Sequence, residues 1–100
     1  MSSTKIAGRP IDTAKNLKPG ETALVMFNEY RKLRTFSSQL SEFNVVSGRK
    51  QNVFVHAATK KTLLQVYLVA VTAEEHDAEL RNDDLKGEWR KKIPQEWLHQ

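Results

Sequence analysis

Residues 28–48 read NEYRKLRTFSSQLSEFNVVSG, and this stretch decides the fold. Its large apolar residues recur at steps of three and four, the spacing that places side chains on one face of a helix. Asn28 is a typical helix N-cap and Gly48 a typical C-terminal stop. We therefore predict an amphipathic helix of about five turns between them. Its apolar stripe comprises Tyr30, Leu33, Phe36, Leu40, Phe43 and Val46.

The segments on either side of this helix have the patterns of strands. Residues 21–27, ETALVMF, follow a Lys-Pro-Gly turn, and we predict a strand there, with a helix as the competing interpretation. Residues 63–71, LLQVYLVAV, are almost all apolar, which is typical of a central strand covered on both faces. Residues 52–57, NVFVHA, form the third strand and pair with 63–71 in a hairpin. Alternation places Val53, Val55 and Ala57 on one face of that strand and Phe54 and His56 on the other.

A second helix is predicted after the last strand. Thr72 and Glu75 have the spacing of a capping box, so we expect this helix to begin at Ala73 and to end by Pro94. The predicted fold class is α+β, in the order strand, helix, strand, strand, helix, with a small antiparallel sheet packed against the amphipathic helix. The predicted divisions are a flexible basic arm at 1–18, one domain at 19–93 and a C-terminal tail at 94–100.

The composition limits the class of protein. With 100 residues, of which 39% are hydrophobic and 28% charged, the chain supports one globular domain. It contains no cysteine, which excludes disulfide frameworks, thiolate catalysis, zinc ribbons and iron–sulfur clusters. Its longest apolar stretch is far shorter than the roughly 20 residues that a membrane helix needs, and no apolar core of a secretory signal follows the first basic residues. We therefore expect a cytoplasmic protein with no membrane partner.

The net charge of +4 is unevenly distributed. Residues 1–20 carry four bases and one acid, and residues 21–72 carry seven bases and three acids. Residues 73–100 carry five bases and eight acids. A basic arm and body are thus followed by an acidic segment, and the body favours an anionic partner such as nucleic acid.

Catalytic and metal-binding patterns do not emerge from the sequence. His56, His76 and His99 have no nucleophile or orienting acid at a recognisable spacing, so we predict no enzyme and no cofactor. His76 and Glu79 lie three residues apart and could share a metal ion, but two ligands are too few, and such pairs are common on solvated helices. We therefore predict no metal site.

We predict instead a non-enzymatic nucleic-acid-binding protein, with DNA as the first candidate partner and RNA as the second. On the predicted helix, Arg31, Arg34 and Ser38 share an edge where guanidinium and hydroxyl groups can contact phosphates and base edges. Basic residues on an amphipathic helix are also common on faces that are merely solvated. The other candidate contacts are Lys32 on the helix, Arg49, Lys50, Lys60 and Lys61 in the loops, and Arg9 in the arm, within a Gly-Arg-Pro that resembles the core of an AT-hook.

The alternative interpretation is a protein-interaction module that binds and inhibits a host protein. The acidic helix of residues 74–88 could bind a basic surface, and Trp89 and Trp97 are of a residue type enriched at interface hot spots. Such a helix could equally serve only to keep the protein in solution. A homodimer is a further candidate, because a short chain with a long apolar strand can gain cover from a second copy.

A resemblance covers residues 17–71. The order Leu-Lys-Pro-Gly-Glu at 17–21, Glu-Tyr-Arg-Lys-Leu-Arg-Thr at 29–35, Asn44 and Gly-Arg-Lys at 48–50, followed by an apolar strand, resembles small basic proteins encoded by bacteriophages. This family is of unknown function. The resemblance implies a bacterial-virus setting and a strand–helix–hairpin layout, and it supplies no reaction or site. With nucleic-acid binding as the predicted function, we expect a phage or bacterial regulator of transcription or of host processes.

The nucleic-acid interpretation depends on how the cations are arranged in the folded protein. The lysines and arginines of residues 21–72 must converge on a continuous positive surface when the chain folds. If they are scattered and each lies beside a carboxylate, the nucleic-acid interpretation fails and a protein partner becomes the better one.

Overall fold

Three antiparallel strands and four helices make up residues 10–99, the part of the chain that the computed structural model describes. The predicted α+β class is confirmed, as is the antiparallel sheet. The elements are α1 Pro10–Lys15, β1 Thr22–Met26, α2 Tyr30–Gln51, β2 Phe54–Lys60, β3 Gln65–Val71, α3 Ala73–Arg81, the 3₁₀ turns Asp83–Leu85 and Glu88–Lys92, and α4 Gln95–Leu98.

β3 lies at the centre of the sheet, between β1 and β2. Every residue from Val66 to Val71 is buried, so the prediction of a central strand covered on both faces is confirmed. The β2–β3 hairpin is also confirmed, but β2 extends to Lys60, which pairs with Gln65. The predicted end of β2 at residue 57 was wrong because polar residues can still pair at the edge of a sheet, where one side of the strand faces water.

The apolar stripe of α2 packs on the sheet. Leu33, Phe36, Leu40 and Phe43 are buried, as predicted. Tyr30 and Val46, at the two ends of the stripe, are exposed, so the prediction of their burial was wrong. The N-cap is Glu29 rather than Asn28.

α2 continues three residues past the predicted stop at Gly48. Asn52 adopts the left-handed conformation, with φ 58°, and its backbone N–H donates to the carbonyl of Gly48. Asn tolerates this conformation, so it ends the helix where Gly was expected to. Gly48 instead allows Phe54 to pack closely against α2, because a Cβ at position 48 would lie 2.7 Å from the ring of Phe54.

The two faces of the sheet are covered by different parts of the chain. The face that we call the α2 face buries apolar residues of α1, α2 and all three strands in one cluster. Residues from α3 to α4 cover the opposite face, where Phe54, Ala58 and Tyr67 meet Ile93 and Trp97. The predicted alternation along β2 is confirmed, because Val53, Val55 and Ala57 lie on the α2 face. Phe54 and His56 lie on the opposite face.

The predicted basic arm begins outside the described residues, but its last part is structured. Pro10–Lys15 form α1, and Ile11 and Ala14 are buried against α2 and the sheet. A single large apolar side chain in six residues gives no detectable periodicity, which is why the sequence did not predict this helix. Pro10 at the start of α1 suits a helix, since its fixed φ matches the first turn.

The late segment is not one helix. The capping box of Thr72 and Glu75 is present, as predicted, but α3 ends at Arg81. The side chain of Asn82 then accepts from the N–H of Asp84, and Gly87 takes a φ of +81°, so the chain continues through two 3₁₀ turns. Pro94 begins α4 rather than ending a helix.

The predicted C-terminal tail is docked on the opposite face. Trp97 is 6% exposed, and its ring nitrogen donates to Oε1 of Gln65 at 2.9 Å. The ring meets Tyr67 edge-on, at 5.2 Å between centroids. Trp97 therefore fastens the end of the described chain to β3.

The outer edge of β2 is partly closed by a side chain from α2. Asn44 Nδ2 donates to the carbonyl of Val55, and the N–H of Val55 donates to Asn44 Oδ1, both at 2.9 Å. The amide thus satisfies both backbone groups that Val55 directs away from β3.

Candidate nucleic-acid interface

The first turns of α2 carry the polar surface that the sequence predicts as a contact edge. Tyr30, Arg31, Arg34, Thr35 and Ser38 line one open cleft, which we call the α2 edge cleft. Positions three and four apart lie on the same side of a helix, so the sequence spacing becomes a spatial cluster. The structure thus brings together three of the predicted residues, Arg31, Arg34 and Ser38.

The basic groups of the α2 edge cleft are accessible. Arg31 and Lys32 lie 3.6 Å and 3.5 Å from the carboxylate of Glu29, and all three side chains are largely exposed. Surface pairs of this kind contribute only about 0–1 kcal/mol, so an anionic ligand can compete with Glu29. Within residues 10–99, Arg34 makes no ion pair. The cleft therefore has a net positive charge.

The hydroxyl groups of the cleft add acceptors and donors. Thr35 Oγ1 donates to the carbonyl of Arg31 at 3.1 Å, which fixes its rotamer. Ser38 is exposed one turn further along. Hydroxyls next to guanidinium groups are common partners of phosphate oxygens.

An apolar cleft adjoins the basic one. It lies between α1 and α2, where Ile11, Phe27 and Phe36 form its floor and Arg31 its rim. Arg31 and Thr35 line both clefts, so they form the ridge between them. A phosphate on the basic side would thus lie beside an apolar surface that suits a sugar or a base.

Arg49 does not join this surface. Both of its terminal nitrogens donate to the carboxylate of Asp77 on α3, at 2.9 Å and 2.8 Å. The hydrogen bonds and charge of Asp77 raise the pKa of Arg49, and those of Arg49 lower the pKa of Asp77. Arg49 also lies about 27 Å from Arg31 along the helix axis, at roughly 1.5 Å per residue.

The other predicted cations are dispersed. Lys50 is exposed at the distant end of α2. Lys60 lies on the opposite face, where its ammonium group donates to the carbonyl of Trp97 and lies 4.5 Å from the centre of that ring. Lys61 is exposed in the hairpin turn, and Arg9 lies outside the described residues. The predicted convergence of all these cations into one surface is therefore not what the structure shows. They are not each paired with a carboxylate either, since within residues 10–99 Arg34, Lys50 and Lys61 form no ion pair.

Lys61 lies at the same end of the sheet as the start of α2. The N–H of Phe27, just before α2, donates to the carbonyl of Leu64 at 2.8 Å, so the hairpin turn and the start of α2 lie at the same end of the sheet. Lys61 therefore flanks the end of the molecule that carries the α2 edge cleft.

The tryptophans proposed as protein-interaction anchors are used inside the molecule. Trp97 is buried against β3. Trp89 is half-buried and stacks on His56, with 5.0 Å between ring centroids. Trp97 therefore leaves little surface for a partner, whereas half-buried Trp89 stays a predicted interface residue.

One cluster was missed by the sequence analysis. His56 and His76 approach each other on the opposite face, in a cleft with Glu79 and Trp89. The residues are 20 positions apart, so no spacing rule joins them. Two clues were present: the alternation of β2 places His56 on the face that α3 covers, and the spacing of His76 and Glu79 puts them on one side of α3.

This chain was compared with protein families, curated proteins and solved structures. No family model, no curated protein and no solved structure matches this chain. Within residues 10–99, none of the helices is both long enough and apolar enough to cross a membrane.

Proposed function

We propose that this protein is a non-enzymatic nucleic-acid-binding protein that contacts DNA through the α2 edge cleft. The proposal is carried by one observation, that Arg31, Arg34 and Ser38 line a single open cleft. Guanidinium groups bridge phosphate oxygens in two-point hydrogen bonds, and the hydroxyl of Ser38 adds a neutral contact. Lys32 lines the adjoining apolar cleft and Lys61 lies in the hairpin turn at the same end of the sheet, so both add positive charge to this end of the molecule.

The proposed interface is smaller than the sequence predicts. Arg49 and Lys60 are engaged elsewhere and Lys50 is distant, so the cleft region neutralises about two or three phosphates. The slope of log K against log salt should then be about −1.8 to −2.7 per chain, since each phosphate contributes about −0.9. A small basic edge of this kind suits a regulator that adds contacts to a larger assembly on DNA.

The setting is part of the proposal. The resemblance of residues 17–71 to bacteriophage-encoded proteins supports a bacterial-virus setting, and within it we propose a phage or bacterial regulator in the host cytoplasm. A homodimer would double the number of phosphate contacts and steepen the salt dependence accordingly.

Fluorescence anisotropy with a labelled duplex tests the proposal. We expect the affinity of the wild-type protein to fall about 10- to 40-fold between 50 and 200 mM salt. Arg34→Ala should weaken binding and reduce the salt slope by about one, since it removes a phosphate contact. Single-stranded DNA and RNA of the same length show which nucleic acid is preferred.

Lys50→Ala is the matched control, because Lys50 is an exposed cation on the same helix but outside the cleft. It should leave both affinity and salt slope near the wild-type values. Equal losses in the two variants would show that binding is not localised at the cleft. Absence of binding to all three nucleic acids at 50 mM salt would refute the proposal and favour a protein partner.

A further inference from the structure

We infer that His56 and His76 form a binding site for a divalent transition-metal ion of the zinc type on the opposite face of the sheet. The inference is independent of nucleic-acid binding. It rests on the distance between two ring nitrogens, on their access to solvent and on the charge around them.

The distance between the imidazoles fits shared ligation better than a hydrogen bond. His76 Nδ1 lies 3.5 Å from His56 Nε2. A good hydrogen bond from a ring nitrogen is about 2.7–3.2 Å long, so this contact is a weak one. Two nitrogens that bind one tetrahedral Zn²⁺ at about 2.0–2.1 Å lie about 3.3–3.4 Å apart. The pair therefore needs only a small shift of its rings to hold an ion.

Both rings are held in place by aromatic neighbours. His76 stacks on Phe54, with 4.0 Å between centroids and 3° between planes. His56 stacks on Trp89 at 5.0 Å and 14°. Each imidazole thus loses little rotational freedom on binding an ion, and pre-orientation of ligands raises affinity.

The chemistry of the two side chains suits a transition metal. Imidazole nitrogen is a preferred ligand of Zn²⁺, Ni²⁺ and Cu²⁺.

The surrounding charges are compatible with a dication. Glu79, Asp83 and Lys86 line the same cleft as the two histidines, which gives the charged groups a net charge of −1. Glu79 Oε1 accepts from the N–H of Gly87 at 3.0 Å, which fixes the carboxylate at the edge of the cleft. The negative charge of Glu79 stabilises an ion at the imidazoles.

The site has only two protein ligands, as does the His76–Glu79 pair that the sequence analysis rejects, but here both ligands are imidazoles whose nitrogens already lie 3.5 Å apart. Within residues 10–99, no group of three or more histidine, aspartate or glutamate side chains is placed to hold a metal ion. Water must complete the coordination shell, and the cleft is open enough to admit it. Binding should accordingly be weaker and faster to exchange than at a structural zinc site with four protein ligands.

Titration of the wild-type protein with ZnCl₂ tests the inference. We expect saturable binding of one Zn²⁺ per chain by isothermal titration calorimetry and a rise in Tm that EDTA reverses. His56→Gln and His76→Gln should each weaken binding by at least about ten-fold. His99→Gln is the control, because His99 is exposed and outside the cleft, and it should bind as the wild type does.

NMR on the wild-type protein tests the inference without any variant, so it still applies if a variant fails to fold. Zn²⁺ should shift the ring resonances of His56 and His76 and leave those of His99 in place. The inference is overturned if no saturable binding occurs, if His99→Gln weakens binding as much as the other variants, or if the resonances of His56 and His76 do not respond.

Discussion

The two faces of the sheet are covered by different means. On the α2 face, a single helix of 22 residues packs apolar side chains against apolar strands. On the opposite face, short pieces of at most nine residues are joined by caps, ring stacking and side-chain hydrogen bonds. α3 has no buried residue, and Ile93 and Trp97 are the buried residues contributed by the segments after it.

The covers of the two faces should therefore differ in how easily they open. Apolar burial on the α2 face supplies a large, non-directional stabilisation. The cover of the opposite face depends on a few anchors, and segments with few buried contacts open at lower free-energy cost than the core. The histidine cleft lies in this less stable cover, whereas the α2 edge cleft lies on the most firmly packed helix.

The largest expected effect on the free energy of unfolding comes from removing a large buried side chain from the α2 face. Phe36 is 2% exposed in the core cluster, so Phe36→Ala should lower the free energy of unfolding by about 3–5 kcal/mol. Urea denaturation measures the change. Phe27→Ala is the control, since Phe27 is only half-buried beside Phe36, with 5.4 Å between ring centroids, and should cost less. A loss below about 1 kcal/mol for Phe36→Ala would contradict the proposed role of this face.

A smaller effect is expected from loosening the opposite face. Thr72→Ala removes the hydroxyl that accepts from the N–H of Glu75 at 3.1 Å, and loss of such a cap costs about 1 kcal/mol. Hydrogen exchange should become faster in α3 while β3 stays protected. Thr62→Ala, in the exposed hairpin turn, should change stability by less than about 0.5 kcal/mol. Equal acceleration in α3 and β3 would show that the two faces open as one unit.

The smallest effect concerns the link between the faces, the ion pair of Arg49 with Asp77. Arg49 holds the pKa of Asp77 below its usual value of about 3.8, so the unfolded chain binds more protons in acid than the folded one. The contribution is complete above the unfolded pKa and is lost as the pH falls through the lower folded pKa.

Asp77→Asn should therefore flatten the acid side of the stability curve below about pH 4. Thermal unfolding at a series of pH values measures this. Asp84→Asn is the control, because Asp84 is exposed and forms no ion pair within residues 10–99. An unchanged acid slope in Asp77→Asn would show that the pair does not couple the faces.

The α2 face could be predicted from the sequence because its information is local. Steps of three and four among Leu33, Phe36, Leu40 and Phe43 define a helix face without reference to the rest of the chain. The apolar run of β3 likewise predicts its own burial. For the same reason, the residues of the α2 edge cleft could be placed together from their helical spacing alone.

The opposite face could not be predicted in the same way, because its contacts join distant residues. The pairing of Arg49 with Asp77 spans 28 positions, and the contact of Lys60 with Trp97 spans 37. Neither pair has a periodicity that single-sequence patterns can detect. The end of α2 was also misplaced, because Asn52 rather than Gly48 adopts the left-handed backbone conformation that ends the helix.

The bonding of Asn44 to Val55 has a consequence for self-association. An exposed strand edge is a template on which a second chain can add by backbone pairing. At Val55 this template is already occupied, so an incoming strand must first break two hydrogen bonds and leave the amide of Asn44 to find new partners. Asn44 thereby opposes the addition of a second chain at this position of the β2 edge.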